Sequence, residues 1–150
     1  MRVQHLIVID AARHLMSVLW DGPPPGDGEI AAALDQLMAA YHQMPTDATS
    51  DSDVEPPVRG GDELYQQVAK RFPDYGLYPT VDPLAEVDQP VMMGDAIDDI
   101  ADITKDIREA LWYFENLGEA DAHWHLGLLY FHWGRHVREL ALYLHAREFG

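Results

Sequence analysis

The sequence feature that most constrains the fold is an apolar stripe that begins at Ile97. Isoleucine, leucine and phenylalanine recur there at steps of three and four residues, which is the spacing of one face of an α-helix. The stripe consists of Ile97, Ile100, Ile103, Ile107, Leu111 and Phe114. Asp95 stands where an N-cap residue is expected, and Gly118 is the residue type with which helices commonly end. The pattern therefore predicts a helix between these two residues.

A second long helix is predicted directly after Gly118, from about residue 119 to residue 147. Because the connection is so short, the two helices are expected to fold back antiparallel. The second helix is apolar on several sides, which is typical of a helix in the protein interior. Gly127, Gly134 and Ala141 recur every seven residues along it. We expect a neighbouring helix to approach closely along this line of small residues.

The remaining sequence predicts shorter helices and two irregular segments. Apolar periodicity and turn residues predict helices over residues 3–20, 27–44 and 62–72. Residues 45–61 are predicted to form a mobile acidic loop, and the proline-rich residues 73–94 an ordered irregular crossing. A chain of 150 residues suits one domain. We therefore predict a single all-α domain over residues 1–150, a bundle of about five helices with a long C-terminal antiparallel helical hairpin.

The charge of the chain narrows the classes of partner. The formal net charge is -16, and residues 21–102 carry 18 acidic and 3 basic residues. Such a field repels nucleic-acid phosphates and attracts a basic protein surface or a cation. The chain has no cysteine, which excludes disulfides and thiolate ligands. No apolar run is long enough for a signal peptide or a membrane span, so we expect a cytoplasmic protein that does not bind membranes. The negative charge also predicts no nucleic-acid binding. The sequence leaves the oligomeric state open.

Histidines on the last predicted helix form a candidate metal site. His132 and His136 lie one turn apart, with Glu139 about one turn further on. If the hairpin turns at Gly118, Asp102 lies level with Gly134, between the two histidines. These four residues are candidate ligands for Zn²⁺ or Mn²⁺, since imidazole and carboxylate suit both ions. Alternatively, the histidines are hydrogen-bonded core or boundary residues, or Arg135 and His136 pair with aspartates across the hairpin, and the remaining aspartates form a solvated helix face.

No established catalytic motif accompanies these residues. The sequence contains no nucleophile elbow, phosphate-binding loop or dinucleotide fingerprint, and the run from His132 to His136 lacks the glutamate of a zinc-protease helix. No catalytic residue and no organic cofactor are therefore predicted. The favoured prediction is a non-enzymatic acidic binding module for a basic protein partner, because the charge is observed. The alternative is a metal-binding helical protein, which includes the class of metal-dependent hydrolases.

Three sequence pieces resemble one protein family. The first is residues 91–108, with the core Gly-Asp-Ala-Ile-Asp-Asp-Ile-Ala-Asp-Ile at 94–103, the second is Phe-His-Trp-Gly-Arg-His at 131–136, and the third is Leu-Tyr-Leu-His at 142–145. Together they resemble the bacterial domain-of-unknown-function family 5063, over nearly the whole chain. The resemblance implies a small all-helical fold and a stand-alone bacterial protein, and it implies no activity.

Overall fold

A computed structural model describes residues 2–45, 52–57 and 60–150, which form six helices and one two-stranded antiparallel sheet. In chain order the elements are α1 (Arg2–Trp20), α2 (Asp27–His42), α3 (Gly61–Arg71), β1 (Leu77–Thr80), β2 (Met92–Asp95), α4 (Ala96–Leu117), α5 (Glu119–Leu128) and α6 (Tyr130–Phe149). This confirms the predicted mostly all-α class. The first three helices begin and end within two residues of their predicted bounds.

The helical hairpin turns at Gly118, as predicted. The Asp95 side chain caps α4 by accepting a hydrogen bond of 2.9 Å from the backbone amide of Ile97. Gly118 ends the helix with φ 111°, a conformation that favours glycine, and α5 begins at the next residue. Both α5 and α6 pack against α4. The chain therefore reverses direction at Gly118, and α5 and α6 run back along α4.

The apolar stripe of α4 lies in the core. Ile100, Ile103 and Ile107 are fully buried, together with Trp133 of α6. They share this core with buried side chains of α1, α2 and α6: Ile9, Ala12, Leu15, Leu19, Ile30, Leu34, Leu37, Val137, Leu140 and Leu144. Because α4 meets α1 on one side and α5 and α6 on another, it is covered on more than its isoleucine face.

The prediction of one continuous helix over residues 119–147 is wrong. Leu129 leaves helical geometry, with φ -100° and ψ 8°, and separates α5 from α6. The Leu129 carbonyl accepts hydrogen bonds from the amides of both His132 and Trp133. The buried Trp133 indole donates to the carbonyl of Leu126, seven residues earlier. Because the apolar stripe continues through the break, periodicity alone does not reveal it.

The proline-rich segment contains a β-hairpin that the sequence analysis did not predict. β1 pairs with β2 in antiparallel register, with Tyr78 opposite Gly94. Each strand has only four residues, and β1 contains Pro79, so the sequence of neither strand shows a clear alternation of apolar and polar residues. Glycine at position 94 leaves room for the Tyr78 ring, since a Cβ there would lie 2.5 Å from Tyr78 Cζ. The hairpin brings Tyr78 to the surface of the helical hairpin.

The predicted mobile loop lies largely outside the described residues, because 46–51 and 58–59 are not described. Residues 52–57 have no regular secondary structure. The mobility of this loop therefore stays a prediction. None of the helices in the described ranges is both long enough and apolar enough to cross a membrane.

The line of small residues at Gly127, Gly134 and Ala141 is predicted to let a neighbouring helix approach closely, but Gly134 lies against a side chain of its own helix. A Cβ at Gly134 would lie 2.6 Å from Cε1 of Tyr130, on the same helix. The Tyr130 ring stacks on Tyr41 of α2, with ring centroids 4.0 Å apart. At Gly127 the nearest atom would be Met44 Cε, at an ordinary 3.9 Å. Gly134 therefore makes room for an aromatic side chain and not for the backbone of a neighbouring helix.

We predict that Gly134→Leu lowers the free energy of unfolding by about 2 kcal/mol, because the new side chain displaces the stacked Tyr130 ring. Gly127→Leu is the matched control on the same line. It should leave stability unchanged or raise it by up to about 1 kcal/mol, since leucine favours helix over glycine. Urea unfolding followed by circular dichroism measures both values. Equal effects of the two substitutions would contradict this account of Gly134.

Candidate metal centre

The candidate site lies between the aspartate side of α4 and the histidine side of α6. Asp99, Asp102 and Asp106 are spaced by three and four residues, so they share one face of α4. His132 and His136 occupy the facing side of α6, one turn apart. The antiparallel packing of these helices interleaves the two sets of side chains. The expectation of a solvated aspartate face is therefore wrong for Asp99 and Asp106, which are 2% and 3% exposed.

The five side chains form a continuous ladder. Nδ1 of His136 lies 2.6 Å from Oδ1 of Asp99, and its Nε2 lies 3.0 Å from Oδ2 of Asp102. Nδ1 of His132 lies 2.7 Å from Oδ2 of Asp106, and its Nε2 lies 3.7 Å from the same Oδ2 of Asp102. Asp102 thus lies between the two histidines, where the register about Gly118 predicts it.

Both imidazoles point Nε2 at one carboxylate oxygen. Asp102, His132 and His136 each offer one ligand atom, and these three atoms all lie within 4.8 Å of one another. Around Zn²⁺, with bonds of about 2.0 to 2.2 Å, tetrahedral ligand atoms are about 3.3 to 3.6 Å apart. The separations of 3.0 and 3.7 Å from the Asp102 oxygen need to change by only a few tenths of an ångström, and the third separation, between the two histidine ligand atoms, is no more than 4.8 Å. The residues present therefore fit a small divalent cation.

The outer nitrogens of the two histidines are held by separate carboxylates. Asp99 and Asp106 accept hydrogen bonds from Nδ1 of His136 and His132, respectively. This bond places the proton on Nδ1 and leaves Nε2 as the nitrogen that faces Asp102. Carboxylates in this position are characteristic of histidines that bind metal, because they fix the tautomer and the orientation of the ring.

The charges of the ladder favour a cation between the helices. Burial alone lowers the pKa of His136, but its hydrogen bonds to Asp102 and Asp99 outweigh that effect and raise the pKa to about 10. The hydrogen bond from His136 lowers the pKa of Asp102. Burial raises the pKa of Asp99 and of Asp106, against the opposing effect of their histidine partners. Without a metal, His136 is therefore positively charged at neutral pH, with a proton on each ring nitrogen.

The site is open on the side of His132. The side chains of Asp102 and His132 are 30% and 39% exposed, whereas that of His136 is 19% exposed. Asp99 and Asp106 lie behind them at 3% exposure. The three candidate ligand side chains are therefore partly exposed to solvent, and a metal held by them would keep at least one position for water.

The fourth predicted ligand, Glu139, does not join this group. Its Oε1 accepts a hydrogen bond of 2.7 Å from Nε of Arg135, four residues earlier on α6, and its Oε2 lies 3.5 Å from the Tyr78 hydroxyl. The ligand group found among the described residues contains Asp102, His132 and His136 without it. The intrahelical ion pair with Arg135 and the extra turn of helix keep Glu139 away from Asp102.

Two kinds of supporting residue are not evident from the sequence. Asp99 and Asp106 have a detectable signal, because they share the helical spacing of Asp102, but that spacing equally fits a solvated face. Tyr78 has no such signal. Its hydroxyl donates a hydrogen bond to Asp99, and only the pairing of β1 with β2 brings it there. Tyr78 thereby covers the end of the ladder that lies near His136.

The family model described as "Domain of unknown function (DUF5063)" matches residues 28–149. The chain therefore belongs to this family, as its resemblance indicated. Its fold is similar to the crystal structure of protein BF1032 from Bacteroides fragilis, with a TM-score of 0.65 and 15% sequence identity over 98% of this chain and 90% of that chain. At this identity the similarity concerns the fold alone. No curated protein matches the chain.

The raised pKa of His136 predicts how the stability of the metal-free protein depends on pH. The proton on His136 stabilises the folded state fully below its ordinary pKa of 6.5, and this contribution is lost as pH rises towards about 10. The free energy of unfolding should therefore fall between pH 6.5 and 9. Urea unfolding in the presence of a chelator measures it. His136→Gln should remove most of this fall, and an equal fall in the variant would contradict the assignment.

Proposed function

We propose that the protein binds one Zn²⁺ or Mn²⁺ ion through Nε2 of His132, Nε2 of His136 and Oδ2 of Asp102. The observation that carries the proposal is the shared target of the two imidazoles. Both rings direct Nε2 at the same carboxylate oxygen of Asp102. Each Nδ1 is held by a carboxylate of its own, from Asp106 for His132 and from Asp99 for His136. Either feature alone is common in ion-pair networks, but together they match the inner and outer ligands of a histidine metal site.

The donor set supports a borderline divalent ion. Two imidazoles and one carboxylate suit Zn²⁺ and Mn²⁺ better than Ca²⁺ or Mg²⁺, which prefer oxygen ligands throughout. Three protein ligands are also the number found in catalytic zinc sites, where a water molecule completes the coordination. A bound ion would lower the pKa of such a water and supply a nucleophile for hydrolysis. The protein's own residues would bind the ion and fix its position.

Metal binding is tested with protein purified without a polyhistidine tag. We expect elemental analysis to find close to one equivalent of metal, and calorimetry to show one saturable site after chelator treatment. Asp102→Asn and His136→Gln should each abolish that site, because each removes one of only three protein ligands. His145→Gln is the matched control, since His145 is an exposed residue on the same helix. Absence of metal from the wild-type protein, with no binding of Zn²⁺ or Mn²⁺, would refute the proposal.

Asp106→Asn separates a metal site from an ordinary ion-pair network. It leaves the three ligands in place and removes only the negative charge behind His132. Loss of a supporting carboxylate lowers metal affinity by about 10- to 100-fold. A network without metal-binding capacity would show no metal isotherm to weaken. An unchanged affinity in Asp106→Asn would contradict the role given to this residue.

A second candidate function, an acidic binding module for a basic protein partner, is supported by the loop between β1 and β2. This loop, residues 81–91, carries Asp82, Glu86 and Asp88 and no basic residue. Leu84 and Val87 in the same loop are 94% and 105% exposed. A second copy of this acidic chain would be repelled by like charge, whereas a basic segment with apolar side chains would complement the loop.

We predict that a basic partner retained by the immobilised protein is released by salt. It should also be lost with the double substitution Asp82→Asn and Glu86→Gln, and separately with Leu84→Ser. Asp62→Asn with Glu63→Gln is the matched control, because it removes two exposed charges from the first turn of α3. Quantitative pull-down at increasing salt measures retention. Retention that neither salt nor the loop substitutions reduce would refute this second candidate.

A further inference from the structure

A cleft with a volume of about 640 Å³ lies between the β-hairpin and the outer side of α6. Its walls are mainly apolar and include Pro79 and Val81 from the hairpin segment and Leu142 and Tyr143 from α6. The volume falls in the range of about 300 to 1,000 Å³ that is typical of small-molecule sites. The cleft has its own lining residues, distinct from the three candidate metal ligands.

The charged residues of the cleft leave one positive charge without a carboxylate partner. Arg135 and Glu139 neutralise each other through the hydrogen bond of 2.7 Å. Nη2 of Arg138 donates to the Tyr130 hydroxyl at 3.2 Å, and within the described ranges no carboxylate lies within ion-pair distance of this guanidinium. The residues that line the cleft therefore carry two positive charges and one negative charge, and the neighbouring Asp82 acts electrostatically on Arg135 and not on Arg138.

The positive charge and the apolar wall follow each other along α6. Arg138, Leu142 and Ala146 recur every four residues on one side of the helix and all line the cleft. From Arg138 to Ala146 the helix rises about 12 Å. A ligand lying along this side would meet a guanidinium at one end and apolar side chains over the remaining length.

We propose that this cleft binds a small amphipathic anion, a molecule with an extended apolar chain and one terminal carboxylate. The carboxylate pairs with Arg138, whose fork of donors matches two carboxylate oxygens. The chain lies against Leu142, Tyr143 and the proline side of β1. None of these contacts uses Asp102, His132 or His136, although Tyr78, which also lines the cleft, donates a hydrogen bond to Asp99 of the ladder.

The test compares decanoate with decyltrimethylammonium, which has the same apolar chain and the opposite charge. Calorimetry is performed on the full chain after chelator treatment, below the concentration at which either compound forms micelles. We expect one saturable decanoate site, at least about tenfold tighter than any site for the cation. Non-specific attraction to a chain of net charge -16 would favour the cation. Equal or tighter binding of the cation, or no saturable binding of decanoate, would overturn the proposal.

Substitutions at exposed positions then locate the site. Arg138→Gln should weaken decanoate binding by about tenfold, the usual effect of losing a charged hydrogen-bond partner. Leu142→Asp should abolish binding, because it places a carboxylate in the cleft; Leu142 is 70% exposed, so the fold should tolerate the change. The control for Arg138→Gln is Lys70→Gln, because Lys70 is an exposed basic residue of α3. The control for Leu142→Asp is Leu128→Asp, because Leu128 is also an exposed leucine, at 52%. A control that weakens binding as much as its cleft counterpart would overturn the assignment.

Discussion

The burial of Asp99 and Asp106 determines how α4 and α6 must pack. Both carboxylates are almost inaccessible to solvent, and a buried charge is strongly destabilising unless it is paired. His136 and His132 supply the partners, one for each carboxylate. Sliding α6 by one helical turn would leave at least one carboxylate without its histidine. The ladder therefore fixes the register of the two helices more sharply than their apolar contacts can.

This same ladder creates the chemistry of the site. Because the buried carboxylates hold Nδ1 of each ring, the two Nε2 atoms converge on Asp102 at the open side. Either a proton on Nε2 of His136 or a metal ion between the rings can bridge the ring nitrogens and the Asp102 carboxylate. Metal binding would then displace the proton, and metal affinity would depend on pH. The family description and the crystal structure of similar fold name no activity, so the metal-binding proposal rests on the residues of the ladder.

The sequence predicts the parts of this arrangement that rest on local patterns. The isoleucine stripe, the Asp95 cap and the turn at Gly118 establish the helical hairpin, and its register places Asp102 level with the two histidines. Other features depend on contacts between distant residues. The spacing of Asp99 and Asp106 fits solvent as well as it fits a buried ladder. The break at Leu129 interrupts no apolar pattern, and Tyr78 reaches Asp99 only through strand pairing. Glu139 shared the histidine face but bonds Arg135 instead.

The most direct test of this account is anomalous X-ray diffraction from crystals of the tag-free protein grown with Zn²⁺ or Mn²⁺. We expect an anomalous peak between α4 and α6, about 2.0 to 2.2 Å from Nε2 of His132, Nε2 of His136 and a carboxylate oxygen of Asp102. Asp99 and Asp106 should still hold the two Nδ1 atoms. A metal bound elsewhere on the chain, or no peak while both imidazoles stay in contact with Asp102, would contradict it.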